Sequence, residues 1–495
     1  MFLMGKTATQ IREEIITKKT TARAVVDSVL ADIAARDSEY GAFLEVFTDR
    51  ARAGADRIDA LSQKEKEALS LCGVPVAIKD NMLYTGEIAS AGSRMLENYR
   101  APYTSTAVAR LECDGAIIVG RTNMDEFAFG SSTENSAFQV TRNPWDLKKI
   151  PGGTSGGSAV AVAAGFVPLA LGTDTGGSVR QPAAMCGIVG IRPTYGRVSR
   201  HGIVSDASSF DQVGVLATTV EDVALGLSVI EGKDVHDSTT EDLRSSVDRE
   251  ILRSGWKLPQ DDTNSRPLRI GVPKEYFVEG MDKEVRARIE EAIFVLKENG
   301  VEIIELSIPA TEYALPVYYI LQPAEAASNL ARYDGMRYGK RAEGGLDESY
   351  IAARSAGFGI ESKRRIMMGS FILSAGYIDA FYKKALAVRK ILCDQYDNAV
   401  KQVDVLLCAT SPFVAWNIGE KFNDPIAMYL ADVLTVTTSI VGAPGISVPC
   451  GLAHGLPVGL QFMGRRGDDM GVLKAAQLYT SLAPFTHKPV HGKST

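Results

Sequence analysis

The chain has 495 residues, of which 45% are hydrophobic and 23% charged, and it carries a formal net charge of −6. This is ordinary globular composition with room for a large core, and the acidic balance argues against an extended nucleic-acid footprint. The six cysteines form no C-x-x-C pair and no histidine stands at metal-ligand spacing, so neither a zinc site nor a disulfide framework is expected.

The first apolar run, MFLM, ends at Gly5 and Lys6, too short for a signal-peptide core. No later run approaches the roughly 18 to 20 apolar residues of a spanning helix, so a soluble, cytoplasmic protein is expected. Residues 7 to 70 read as helical: Thr7 and Gln10 have the spacing of a capping box, and TARAVVDSVLADIAARD repeats apolar residues at helical period. Short apolar runs then mark buried strands at GVPVAIK (73 to 79), AIIVG (116 to 120), FVPLALG (166 to 172) and GIVGI (187 to 191). The polar stretch 241 to 267 lacks an apolar stripe and reads as a surface excursion. Beyond it PLRIGVP, the amphipathic DKEVRARIEEAIFVLKENG and VEIIEL spell a β-α-β unit. Residues 323 to 402 read as mostly helix, VDVLLCAT, ISVPC and VGLQFMG as strands, and DDMGVLKAAQLYTSLA as a closing helix. With no repeat and no low-complexity linker, the expectation is one continuous α/β domain over residues 1 to 495, on a mixed or parallel sheet.

Two glycine-flanked hydroxyl segments, PGGTSGGSA (151 to 159) and DTGGSVRQP (174 to 182), carry the chemistry. Between them an alanine-rich helix of about ten residues travels out ~15 Å, and a strand of about six residues returns ~20 Å, so the two ends meet. Thr154 and Ser155 therefore fall beside Ser178. In the second segment Thr175, Gly176, Gly177 and Ser178 present successive backbone N–H groups with little side-chain obstruction, the arrangement that holds a developing oxyanion. Each segment alone is equally a glycine-rich turn that lets helix and sheet pack closely.

Gly153-Thr154-Ser155-Gly156-Gly157 also fits the G-x-S-x-G elbow, but RNPWDLKKIP before it is a poor strand. The histidines downstream, His201, His236, His454, His487 and His491, lie in loops or the tail, which disfavours a Ser-His-Asp triad. A different base is offered by Lys79, which ends an apolar strand behind Val74, Val76 and Ile78. Taken by itself it is as readily a snorkelling surface residue. If buried, desolvation lowers its pKa, and the neutral amine can take a proton relayed from Ser178 through a hydroxyl.

Lys79 followed by the paired segments resembles the amidase signature family, over nearly the whole chain. The most specific stretches are GVPVAIKDN (73 to 81), GRTNMDEFAFGSSTENSAF (120 to 138), NPWDLKKIPGGTSGGSA (143 to 159) and LGTDTGGSVRQPAAMCGIVGIRPTYGRVSRHGI (171 to 203). The resemblance implies an amidase-signature α/β fold, a large mixed β-sheet core flanked by helices on both faces. It implies a catalytic set of Lys79 as base, a relay residue in a cis peptide, and Ser178 as acyl-forming nucleophile, with Thr175, Gly176 and Gly177 as oxyanion donors. At the relay position this chain has Thr154 where the family usually has serine, and Ser155 next door is an alternative.

Within the family, the second and last stretches are similar to the glutamine-hydrolysing chains of tRNA-dependent amidotransferases. That similarity implies glutamine as substrate, Arg365 on its α-carboxylate and Asp432 on its α-ammonium. It implies partner subunits B and C, with ATP, Mg and most tRNA contacts on the partners. No cofactor is expected on this chain, which lacks G-x-x-x-x-G-K-[ST]. A free-standing amidase on another small amide and a catalytically silent scaffold are the alternatives. TVTTSIVGAPGISVP after Asp432 departs from the family pattern, so the pocket edge is expected to differ there.

Overall fold

A computed structural model describes residues 5–241 and 266–489. Most of the polar stretch predicted as a surface excursion, and His491, lie outside the described residues.

The core is a single mixed sheet of 11 strands in the order β1-β3-β2-β4-β6-β5-β10-β11-β9-β7-β8. In chain order these are β1 Phe43–Val46, β2 Pro75–Lys79, β3 Ile117–Thr122, β4 Leu169–Asp174, β5 Val189–Arg192, β6 Gln212–Ala217, β7 Arg269–Pro273, β8 Glu302–Leu306, β9 Val405–Ala409, β10 Gly445–Ala453 and β11 Leu456–Met463. The inner strands are continuous apolar runs because both sheet faces are covered by helices. β2 and β4 are buried along their whole length. Parallel pairing joins β2 to both β3 and β4, with Ile78 opposite Leu171, so the C-terminal ends of β2 and β4 lie side by side.

Two strands escaped the sequence reading. β1 lies within the segment read as helical: Gly41, in left-handed geometry (φ 63), ends the helix Ala22–Tyr40, and Phe43–Val46 then pairs antiparallel with β3 at the sheet edge. β6 pairs antiparallel with β4 along its whole length and with β5, closing the gap between them. The predicted capping box is present, with Thr7 Oγ1 accepting from Gln10 N at 3.1 Å and Gln10 Oε1 accepting from Thr7 N at 3.0 Å. The β-α-β unit is β7, the helix Lys283–Glu298 and β8, with the two strands parallel.

The helical stretch predicted at 323 to 402 begins earlier, with the helix Ala314–Leu330, and continues through Leu346–Gly357, Ile360–Ile372 and Lys384–Val400. The helices Ala314–Leu330 and Ile360–Ile372 touch backbone to backbone at Gly369. A Cβ there would collide with the carbonyl oxygen of Pro323. Gly369→Ala is therefore expected to part the two helices at a cost of about 1–3 kcal/mol, read as a lower urea unfolding midpoint. An unchanged midpoint would mean the interface has slack the structure does not show.

Candidate active site

Lys79 is the last residue of β2 and is 0% exposed. Its Nζ lies 2.7 Å from Thr154 Oγ1, 2.9 Å from Ser155 Oγ and 3.0 Å from Thr173 Oγ1. Thr173 belongs to β4, so the parallel pairing of the two strands sets this contact. Burial pushes the Lys79 pKa down to about 7, although Asp125, Asp174, Asp206 and Asp211 pull it up. Around neutral pH a large share of the amine is uncharged, with two N–H groups to give and one lone pair to receive.

The three hydroxyls around the amine are not equivalent. Ser155 Oγ donates its one proton to the carbonyl of Thr173 at 3.1 Å, so towards Lys79 it can only accept. Thr173 Oγ1 accepts from Asn81 Nδ2 as well, at 3.0 Å. Thr154 Oγ1 makes no other hydrogen bond among the described residues, so its proton is free to move to the lone pair of Lys79. No peptide bond among the described residues is cis, including those beside Thr154 where the resemblance implied one.

Loop 151–155 reaches the nucleophile segment through its backbone. Ser155 N donates to Ser178 O at 3.2 Å, and Gly153 N donates to Gln181 Oε1 at 2.8 Å. A Cβ at Gly172 of β4 would lie 2.9 Å from Ser155 Oγ, so only glycine allows this approach.

After β4 the chain turns sharply through residues 175–178, and Asp174 holds the turn. Its carboxylate accepts from Val179 N at 3.2 Å, from Arg180 Nε at 3.0 Å and from Arg180 Nη2 at 2.9 Å. Burial raises the Asp174 pKa, but Arg180 and Arg192 outweigh it and hold the group at about 2, so this clamp is charged at every working pH. Gly177 sits at φ +149, which favours glycine, and a Cβ there would strike the Thr435 hydroxyl. Thr435 Oγ1 donates to Gly176 O at 2.6 Å, while Thr438 and Ser439 accept from Arg180. The stretch after Asp432 thus braces the nucleophile turn. Among the described residues the N–H groups of Gly176, Gly177 and Ser178 donate to no protein acceptor.

Ser178 opens on a small cleft lined also by Gly176, Tyr319, Gln322, Arg365 and Asp432. Arg365, on the helix Ile360–Ile372, is 3% exposed. Its Nε donates to Glu361 Oε1 at 2.7 Å and its Nη1 to Gln322 Oε1 at 2.7 Å. The rings of Tyr319 and Tyr429 each stand 4.7 Å from its guanidinium carbon. Asp432 accepts from Tyr319 OH at 2.8 Å and from Ser131 Oγ at 2.9 Å, and burial lifts its pKa to about 7. A cation arriving in the cleft would return it to the carboxylate form.

Ser131 stands on a strained loop, with Phe127, Ala128 and Thr133 at positive φ. Buried Asp125 over-determines that loop by accepting from the backbone N–H of Ser132, Thr133 and Asn135. The described histidines are occupied elsewhere: His201 stacks between Tyr103 and His236, His454 pairs with Asp282, and His487 lies against Phe485. Sequence reasoning passed over Glu361, Tyr319, Gln322 and Tyr429. Only Glu361 left a signal, its i,i+4 spacing from Arg365; the others reach the cleft through tertiary packing.

A family model described as Amidase matches residues 24–473. The A subunit of glutamyl-tRNA(Gln) amidotransferase from Roseiflexus castenholzii is 51% identical, covering 96% of this chain and 95% of its own length. The protein of the same name from Persephonella marina is 45% identical over 98% of this chain and 99% of its own. Among solved structures, the corresponding glutamyl-tRNA(Gln) amidotransferase chain of Thermotoga maritima superposes with a TM-score of 0.80 at 36% identity, covering 100% of this chain and 99% of that one. A peptide amidase from Stenotrophomonas maltophilia gives 0.81 at 27% identity, covering 98% and 99%.

Because Lys79 has its pKa lowered to about 7, its lone pair is lost below that pH and is present above it. Modification of Ser178 by a fluorophosphonate is therefore expected to rise about tenfold per pH unit up to about pH 7 and then level off. In Lys79→Met the rate should be low and the step absent. A wild-type profile with no inflection near neutrality would remove Lys79 as the base.

Proposed function

The chain belongs to the amidase family, and from that premise we propose that it is the glutaminase component of a tRNA-dependent amidotransferase. In this reading it hydrolyses the side-chain amide of glutamine and supplies ammonia to amidate Glu-tRNA(Gln), and Asp-tRNA(Asn) where that is also served, on a partner subunit. One observation carries the substrate: Arg365 and Asp432, a cation and a carboxyl, line the same cleft as Ser178. Such a pair complements the α-carboxylate and α-ammonium of an amino acid, and a simple amide has neither group to offer them. The curated relatives at 51% and 45% identity carry the corresponding name.

The chemistry follows from the hydroxyl and amine contacts. Ser178 Oγ attacks the carboxamide carbon as its proton passes to Thr154 Oγ1, while the Thr154 proton passes to the Lys79 lone pair. The free N–H groups of the 175–178 turn receive the oxyanion. The ammonium of Lys79 returns a proton along the same path to the departing nitrogen, which leaves as ammonia. Water, losing a proton by the same route, then cleaves the acyl-enzyme, which yields glutamate and restores Ser178. Ser155, with its proton on Thr173, orients the amine.

No step of this sequence draws on a cofactor held by this chain. ATP, Mg and tRNA recognition belong to the partners in this reading, which are subunits B and C of the complex. A cytoplasmic site of action and a single catalytic domain go with it.

Ammonia release from glutamine by the full chain, with and without its partner subunits, tests the proposal. Activity that depends on the partners and falls by at least about a thousandfold in Ser178→Ala is expected. Turnover of small amides with none of glutamine would replace the reading with that of a free-standing amidase, and silence under every condition would make the chain a scaffold. For the relay, Thr154→Val should lose about 100-fold or more in kcat and Ser155→Ala should lose less. The reverse order would move the relay to Ser155.

A further inference from the structure

The guanidinium that faces the cleft is fixed from two sides, and one of them leads back to the nucleophile. On the Nε side Arg365 is held by Glu361 of its own helix. On the Nη1 side it meets Gln322, which stands on the neighbouring helix Ala314–Leu330 and is 1% exposed. The Gln322 amide has one possible orientation. Its Oε1 accepts from Arg365 Nη1 at 2.7 Å and its Nε2 donates to Asp206 Oδ1 at 2.6 Å; the flipped amide would set donor against donor and acceptor against acceptor.

Asp206 in turn belongs to the loop before β6, and Asp211 holds that loop. The Asp211 carboxylate accepts from Asp206 N at 3.0 Å and from Ala207 N at 3.2 Å, and also from Thr175 Oγ1 at 2.7 Å. Thr175 opens the turn that carries Ser178. A continuous hydrogen-bonded path therefore runs from the arginine, through Gln322 and the 206–211 loop, to the nucleophile turn.

We propose that Gln322 is a positioning residue for the substrate's α-carboxylate, fixing the Arg365 guanidinium in register with the Ser178 turn by bridging it to Asp206. The inference rests on the glutamine reading above. Arg365 comes from the helical insert and Ser178 from the turn after β4, so one substrate must reach a flexible side chain on the first and a fixed hydroxyl on the second. A guanidinium left loose on that side would bind the substrate's carboxylate more weakly, a loss of binding that raises KM and leaves kcat nearly unchanged. The hydrogen bonds of Arg365 go through Nε and Nη1, so among the described residues Nη2 donates to no protein acceptor.

Steady-state glutamine hydrolysis by the chain with its partner subunits tests this in four variants: Gln322→Ala, Gln322→Met, Arg365→Ala, and Gln322→Ala combined with Arg365→Ala. Gln322→Ala removes the side chain, and Gln322→Met keeps its length without its polar atoms. Both are expected to raise KM for glutamine about 10- to 100-fold with kcat within about threefold of wild type, the loss typical of a hydrogen bond to a charged group. In an Arg365→Ala background, which raises KM by itself, Gln322→Ala should add nothing further. The proposal is overturned if Gln322→Met behaves as wild type, since packing would then be the only role. It is overturned equally if the loss from Gln322→Ala is as large without Arg365 as with it. If Arg365→Ala itself leaves KM untouched, the substrate clamp fails, a result distinct from a failure of Gln322 alone.

Discussion

A fully buried amine, that of Lys79, sets the terms for the rest of this protein. A fully enclosed lysine resists its charge, and what surrounds it must satisfy two N–H groups and one lone pair, with no counter-ion in direct contact. Thr154, Ser155 and Thr173 do this with three hydroxyls within 3.0 Å. Each comes from a segment that the sheet brings to the same corner: the end of β4 and the loop before the helix Gly156–Ala163. The parallel pairing of β2 with β4 is what makes the corner, because it ends both strands on the same side.

The nucleophile turn is held by an opposite principle. Where burial brings the Lys79 pKa down to about 7, Asp174 is kept charged by two buried arginines, and its carboxylate ties down the backbone on the far side of the turn. Removing Asp174 would leave two arginines buried without their carboxylate, a far larger penalty than the cluster contributes in net stability. Four residues of chain are thereby fixed, with the N–H groups of Gly176, Gly177 and Ser178 unused among the described residues, which is the state an oxyanion site requires before substrate arrives. Glycine at 172 and 177 lets the hydroxyls of Ser155 and Thr435 come close enough to brace it.

The substrate side is built differently, from helices and aromatic rings. Arg365 and Asp432 reach the cleft from a helical insert and a short turn, and the tyrosines at 319 and 429 enclose the arginine. Little of this is legible in the sequence beyond the outline. The capping box at Thr7, the β-α-β unit around residues 269–306 and most of the strands follow from period and composition, since local patterns fix local structure. β1 is hidden because four residues between helices carry no period of their own, and β6 because QVGVLA is short, is interrupted by Gly214 and follows the polar stretch SDASSFD. The departure after Asp432 shows in the sequence only as a difference. That it braces Gly176 and Arg180 is a fact of packing.

The sequence alone determined which groups are available: a lysine at the end of an apolar strand, two hydroxyl segments spaced by one helix and one strand, and few histidines, all in loops or the tail. Those conclusions need only burial preference, rise per residue and turn chemistry, all of which act over short stretches. Tertiary structure alone decided which hydroxyl is free to carry the proton, since that depends on the carbonyl of Thr173 claiming the hydrogen of Ser155. It also decided that Arg365 lies within the protein and meets Gln322, because a helix shows from its own sequence which face is apolar but not which residues of another helix will fill the space beside it.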